Sequence, residues 1–201
     1  MDSTTWDERY ASQEYVWSVN VNRFVEQHLG PLRPGTAIDL AAGECRNAVW
    51  LAERGWQVTA VDFSAVGLEK GRRLADEHGV AERLDLVRAD VMTWAPAAPV
   101  DLVLIAYLQL SGEDRRAVLH RAAQWVRPGG HVFVVAHDRS NVTDGYGGPQ
   151  SAEVCYDADE TAAALVPLVI HVAAVEERAV DTPDGPRVAL DTVVMASAPV
   201  S

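Results

Sequence analysis

Two cysteines, Cys45 and Cys155, are all that the 201 residues contain. A single pair is no disulfide framework, so the chain reads as one held together by packing, as in a reducing compartment. Basic residues are also scarce: 17 Lys and Arg stand against 29 Asp and Glu, and the net charge of −12 repels polyanions. That excludes the basic footprint of a nucleic-acid binder and argues against anionic membrane surfaces as partners. Long apolar runs are missing. The longest uncharged stretch extends only from Thr161 to Val175, with Pro167 inside it, too short for a bilayer-spanning helix. The start, Met1-Asp2-Ser3-Thr4-Thr5, has neither a basic nor an apolar signal region, which predicts a soluble, cytoplasmic protein. Metal-ligand spacings such as H-x-x-x-H, H-x-E and C-x-x-C are absent. His131 and His137 alternate on one strand but stand roughly 20 Å apart at 3.3 Å per residue, too far to share an ion, so no metal site is expected.

What is present is ordinary globular composition, 48% hydrophobic and 23% charged, enough for a packed core. The length suits one domain over residues 1–201, with a helical or lid-like segment over 1–30 and a core over 31–201. No period of 20 to 50 residues repeats. Element types alternate instead. Val21, Phe24, Val25, His28 and Leu29 form a helical stripe closed by Gly30-Pro31. Thr36–Leu40 reads as a buried strand, followed by a small-residue turn at Ala41–Cys45 and a helix carrying Ala48, Leu51 and Ala52. Val58–Val61 is the next strand, and Ser64 caps a helix reaching His78-Gly79. Leu84–Val87 and Val100–Ile105 are strands three and four. Val118, Ala122 and Trp125 mark a helix ended by Pro128-Gly129-Gly130, and His131–Ala136 is strand five. Two longer β-rich runs, Leu168–Val180 and Val188–Ala196, flank the hairpin signal Thr182-Pro183-Asp184-Gly185-Pro186. Alternating strands and helices imply a mostly parallel sheet with helices on both faces, ligands at the carboxyl ends of the strands, and an antiparallel edge from the final hairpin.

The informative constellation is Ala37-Ile38-Asp39-Leu40-Ala41-Ala42-Gly43-Glu44-Cys45-Arg46-Asn47. An acidic residue ends the first strand, and the turn after it lets backbone N–H groups approach a ligand. Asp62 follows about 20 residues later at the end of strand two, where a carboxylate can accept from both hydroxyls of a ribose. The pair points to a nucleoside ligand. One glycine is too few for the G-x-G-x-x-G pyrophosphate clamp, so NAD is disfavoured.

With these residues the chain resembles the class I S-adenosylmethionine-dependent methyltransferases, and within them the tellurite-resistance and thiopurine-type small-molecule enzymes. The resemblance runs through Asp39–Asn47, Val61-Asp62-Phe63-Ser64, Ala89-Asp90-Val91, Val100–Leu104 and Trp125-Val126-Arg127-Pro128-Gly129-Gly130, in that order. It implies a single-domain, Rossmann-like, seven-stranded α/β fold and S-adenosylmethionine as cofactor, with S-adenosylhomocysteine as product. The cofactor residues it implies are Asp39, Ala41, Gly43, Arg46, Asp62, Phe63, Asp90, Val91 and Ala106. Gly43 would pass under the methionine part, Asp62 would hold the ribose, Asp90 and Val91 would flank the adenine, and Ala106 would close the floor. The family's first loop carries three alternate glycines, and here Ala41 and Cys45 replace the outer two, where left-handed backbone would be strained.

Plainer readings stand beside these. Asp39 could cap local backbone, Asn47 is the expected helix N-cap, Arg46 could be a solvated charge, and Asp101 at a strand start is read as structural. Asp62 at a cleft-facing strand end predicts a fold that tolerates its loss better than binding does. No catalytic residue is assigned; Tyr107, after strand four, and His137-Asp138, at the end of strand five, are the candidates. The aromatics Trp6, Tyr10, Tyr15 and Trp17, and the loop Gly145-Tyr146-Gly147-Gly148-Pro149, are read as lids or as packing. Cys155 and Tyr156 are read as packing. The expected function is methyl transfer to a small molecule by in-line displacement, with a soft acceptor such as a thiol, selenol, tellurite or halide. The rivals are a non-catalytic binder of the cofactor and a methyltransferase of protein or nucleic acid. Ile105-Ala106-Tyr107-Leu108-Gln109-Leu110 lacks the Asn/Asp-Pro-Pro-aromatic loop of base-methylating enzymes.

Overall fold

The computed structural model describes residues 3–16 and 18–200. They form two compact units, one running to Ile105 and the other beginning at Ala106.

The first unit contains α1 (Ser3–Ala11), α2 (Arg23–Leu29), β1 (Thr36–Leu40), α3 (Arg46–Glu53), β2 (Gln57–Asp62), α4 (Ala65–Glu77), β3 (Leu84–Arg88) and β4 (Val100–Ala106), whose last residue crosses the boundary. β1 pairs in parallel with β2 and with β4, and β2 pairs in parallel with β3. β1, β2 and β4 read as continuous apolar runs because both faces are covered: Ile38, Leu40, Val58, Ala60, Val61, Leu102 and Leu104 are all buried. Local chemistry sets the helix starts. The Asn22 side chain accepts from the N–H groups of Phe24 and Val25, so α2 begins after Val21 rather than including it. Ser64 caps α4 through the N–H of Gly67.

The second unit contains α5 (Gly112–Gln124), β5 (Val126–His137), α6 (Asn141–Asp144), α7 (Ala158–Ala164), β6 (Val169–Val180) and β7 (Arg187–Ser197). β7 runs antiparallel to both β5 and β6. The hairpin between β6 and β7 is closed by Gly185 N–H on the Thr182 carbonyl at 3.0 Å, with Gly185 at φ 105. β5 begins earlier than the expected His131. Pro128-Gly129-Gly130 ends the helix but continues as extended chain, because Gly129 N–H donates to Ala198 O and Ala198 N–H donates to Gly130 O. The strand order is β3-β2-β1-β4-β5-β7-β6, a seven-stranded, mostly parallel sheet with β7 as its antiparallel member. No helix among the described residues is long and apolar enough to cross a membrane.

Candidate functional site

The turn after β1 carries three alternate residues in left-handed backbone: Ala41 at φ 63, Gly43 at φ 55 and Cys45 at φ 62. Ala41 and Cys45 therefore keep the conformation that glycine adopts without strain, each against roughly 1 to 2 kcal/mol of Cβ repulsion. Cys45 can do so because it is fully buried beside Gly71, where a Cβ would stand 2.7 Å from its own. It also occupies the N-cap position of α3, with no side-chain cap. That corrects the reading of Asn47 as the cap: its Oδ1 instead accepts the N–H of Asn22 at 3.0 Å, tying α3 to the start of α2.

Two carboxylates meet beneath this turn. Asp62 is 3% exposed, and its two oxygens accept the N–H groups of Gly43 and Ser64, both at 2.8 Å. It is thus a brace for the turn as well as a candidate ligand contact. Burial raises its pKa, and the N–H bonds from Ser64 and Gly43 oppose that. Asp39 is 1% exposed, and neither of its oxygens accepts a hydrogen bond. Burial first, then the charge of Asp62, pushes its pKa up to about 7, against the pull of Arg46. A buried carboxylate with both oxygens unsatisfied is costly unless a ligand completes it. The local chemistry therefore suits a cationic or hydroxyl-bearing ligand.

The amino-terminal segment is strapped onto the same turn. Tyr10 is buried, with its hydroxyl 2.6 Å from where a Cβ on Gly43 would sit, so only glycine admits it there. Asp7 accepts hydrogen bonds from the Ser64 hydroxyl and from Val66 N–H. Glu44, inside the turn, accepts the N–H of Val16 and pairs with Lys70 of α4 at 2.9 Å, and Lys70 also donates to the carbonyls of Tyr10 and Gln13. Glu44, Lys70 and Asp7 were not singled out from the sequence; an acidic residue within a small-residue turn was the available signal. Of the four aromatics, Trp6 and Tyr10 lie on α1 with ring centroids 5.5 Å apart, Tyr15 lies under Lys70, and Trp17 is outside the described residues.

The remaining expected positions are dispersed. Arg46 reaches the Ser18 carbonyl at 3.5 Å, and Phe63 is half-buried. Asp90 is exposed and accepts the N–H of Met92, whereas Val91 beside it is buried. Asp101 holds Thr36 through both its N–H and its hydroxyl.

Ala106 opens the second unit and leads into Tyr107, a non-glycine residue at φ 55. Tyr107 and His137 stack with centroids 4.9 Å apart. The loop after α6 is anchored rather than loose: Asn141 donates to the Gly147 carbonyl, and a Cβ on Gly148 would meet the His137 ring at 2.9 Å. Asp191 is fully buried on β7. It accepts Tyr107 Oη at 2.9 Å and Arg178 Nε at 2.6 Å, and its other oxygen lies 3.2 Å from His137 Nδ1. Sequence reasoning missed it, although an aspartate inside an apolar strand is the kind of outlier that marks a buried partner. Tyr156 packs under Arg115 and donates to the Leu108 carbonyl. Among the described residues no three His, Cys, Asp or Glu side chains are grouped to hold a metal ion.

Residues 37–130 match the family described as a methyltransferase domain, over the strands and turns that build this site. That match and the relatives below support a class I S-adenosylmethionine-dependent methyltransferase. The relatives that the chain resembles carry dissimilar names. The tRNA 5-carboxymethoxyuridine methyltransferase of Escherichia coli K12 is 32% identical over 103 residues, covering 50% of this chain and 40% of the relative. The trans-aconitate 2-methyltransferase of Azoarcus is 33% identical over 101 residues, covering 49% and 38%. The chain thus spans less than half the length of these two relatives. The N-methyltransferase NodS from Bradyrhizobium japonicum, solved with S-adenosylhomocysteine, superposes with a TM-score of 0.73 over 98% of each chain at 11% identity, a likeness of fold.

Proposed function

We propose that this methyltransferase binds S-adenosylmethionine in its first unit and transfers the methyl group to a small-molecule acceptor. The observation that carries the cofactor half is the pair Asp39 and Asp62 beneath a turn with three left-handed residues. Asp39 offers two unsatisfied oxygens to a cationic or hydroxyl-bearing group, Gly43 leaves the backbone accessible, and Asp62 holds the turn in shape. Ala41, Arg46, Phe63, Asp90, Val91 and Ala106 complete the proposed cofactor set. When bound, the sulfonium supplies an already activated methyl group. The protein's part is then to hold the acceptor lone pair in line with it, and positioning alone can contribute roughly 7 to 11 kcal/mol.

The small-molecule acceptor follows from the charge: −12 repels a polyanion. The named activity of the Escherichia coli relative supports a second reading, tRNA methylation. Calorimetry and melting with S-adenosylhomocysteine test the cofactor half. Roughly 2.7 kcal/mol of stabilisation is expected at a hundredfold excess over Kd, and a protein stabilised by NAD instead would overturn the assignment. Labelled S-adenosylmethionine offered with thiols, phenols, iodide and bulk tRNA then decides the acceptor class, and label found only in tRNA would establish the second reading. Cofactor binding with no turnover of any of them would favour a non-catalytic role.

A further inference from the structure

The start of β5 and the open end of the β6–β7 hairpin bring polar side chains from three strands onto one face of the sheet, all within the second unit. His131 of β5 stands directly opposite Ser197 of β7, and Ser197 stands opposite Val169 of β6. Directly opposed residues point to the same face, with Cβ atoms roughly 5 Å apart. β6 carries an extra residue at this point. Ile170 faces Ala196 and Val172 faces Met195, so His171 between them has no counterpart on β7. Such a bulge re-aims a side chain, and here it turns His171 onto Ser197, with Nε2 2.7 Å from the hydroxyl oxygen. Ser197 thus lies between two imidazoles, one from each neighbouring strand.

Both rings are open to solvent, His171 being exposed and His131 half-buried. They also sense one another: the pKa of His131 is lowered, chiefly by burial and then by the charge of His171. That favours the neutral His131 ring, the form in which imidazole ligates a metal. With Nδ1 protonated, His171 Nε2 accepts the Ser197 hydroxyl proton and carries the second lone pair. Spacing along β5 sets His131 only against the distant His137, whereas the antiparallel register and the bulge supply His171.

We propose that His131 and His171 form a two-imidazole site for a divalent transition-metal ion such as zinc, with the Ser197 hydroxyl and water completing the coordination. Nitrogen donors suit Zn2+, Ni2+ and Cu2+, whereas the hard ions Ca2+ and Mg2+ take oxygen. The ion links β5 to β6, which stands at the edge of the sheet beyond β7. Because it binds the folded arrangement alone, it stabilises the attachment of that edge. None of these residues belongs to the proposed cofactor set, so the site stands or falls separately from the methyl-transfer reading.

The test titrates the full chain, without an affinity tag and stripped of metal by chelation, with ZnCl2 and, as a hard-ion control, CaCl2 in a calorimeter. Zinc is expected to bind and calcium not. His131→Gln and His171→Gln should each weaken zinc binding roughly tenfold or more, while His120→Gln, at an exposed position of α5, leaves it within about twofold. Long-range 15N spectra should show the His131 and His171 rings shifting together as zinc is added. Should His131→Gln fail to fold, the exposed His171→Gln and the wild-type spectra carry the test. The proposal is overturned by a chain that binds no zinc, by calcium binding as tightly, by zinc shifts at fewer than both rings, or by zinc affinity unchanged in His171→Gln.

Discussion

Asp39→Asn separates what the buried carboxylate does for stability from what it does for binding. Its pKa of about 7 against an ordinary value of 3.8 means that the folded protein holds a proton that the unfolded chain releases between pH 4 and 7. The folded state therefore binds more protons across that window, and stability falls as pH rises through it and levels off above 7. Three pKa units correspond to roughly 4 kcal/mol of unfavourable ionisation at pH 8, as a ceiling. Asparagine keeps the shape and cannot ionise. The variant should therefore match wild type within about 1 kcal/mol at pH 4 and exceed it by up to roughly 4 kcal/mol at pH 8. In a chain of this size that is a melting difference of roughly 10 °C. Urea unfolding at pH 4, 5, 6, 7 and 8 reads the trend directly. A stability difference that does not grow with pH, or an asparagine variant less stable at every pH, would refute the assignment of an unsatisfied, ionisable carboxylate at this position.

Other expectations follow from the same unit. S-adenosylhomocysteine should bind more weakly to Asp39→Asn, and its binding to wild type at pH 6.5 should release protons as the ligand ammonium favours the ionised carboxylate; calorimetry in buffers of different ionisation enthalpy measures this. Asp62→Ala should destabilise the protein by roughly 2 to 5 kcal/mol, because two buried N–H groups lose their acceptor, besides weakening binding; Asp62→Asn, titrated alongside, separates the two effects. Lys70→Met should cost roughly 3 to 5 kcal/mol by leaving Glu44 buried without its cation, and amide exchange should rise first at Val16 and around the turn. Ala41→Gly should be neutral or stabilising by up to about 1 kcal/mol, since relief of left-handed strain offsets added unfolded-state freedom. Denaturant unfolding that placed Ala41→Gly well below wild type would show that the alanine is not strained there.

The sequence by itself determined the layered elements. β1, β2 and β4 are short apolar runs bounded by turns, α4 has its serine cap, and the β6–β7 hairpin has its Pro-Asp-Gly turn, so periodicity and local hydrogen bonding were enough. It also marked Asp39 and Asp62, because a carboxylate ending a buried strand is out of place unless it has work there. It could not show that Ala41 and Cys45 would keep the glycine conformation, since that depends on the pocket that Gly71 opens for Cys45. Nor could it show that Asp62 spends both oxygens on backbone N–H groups while Asp39 spends none. The strap from Tyr10, Val16 and Asp7 onto the turn joins residues far apart in sequence and leaves no periodic trace. The same holds for Asp191, set in the otherwise uncharged stretch Val188–Ala196 of its strand. Only the antiparallel register, which sets it opposite His137 and near Arg178, turns an isolated aspartate into a paired one.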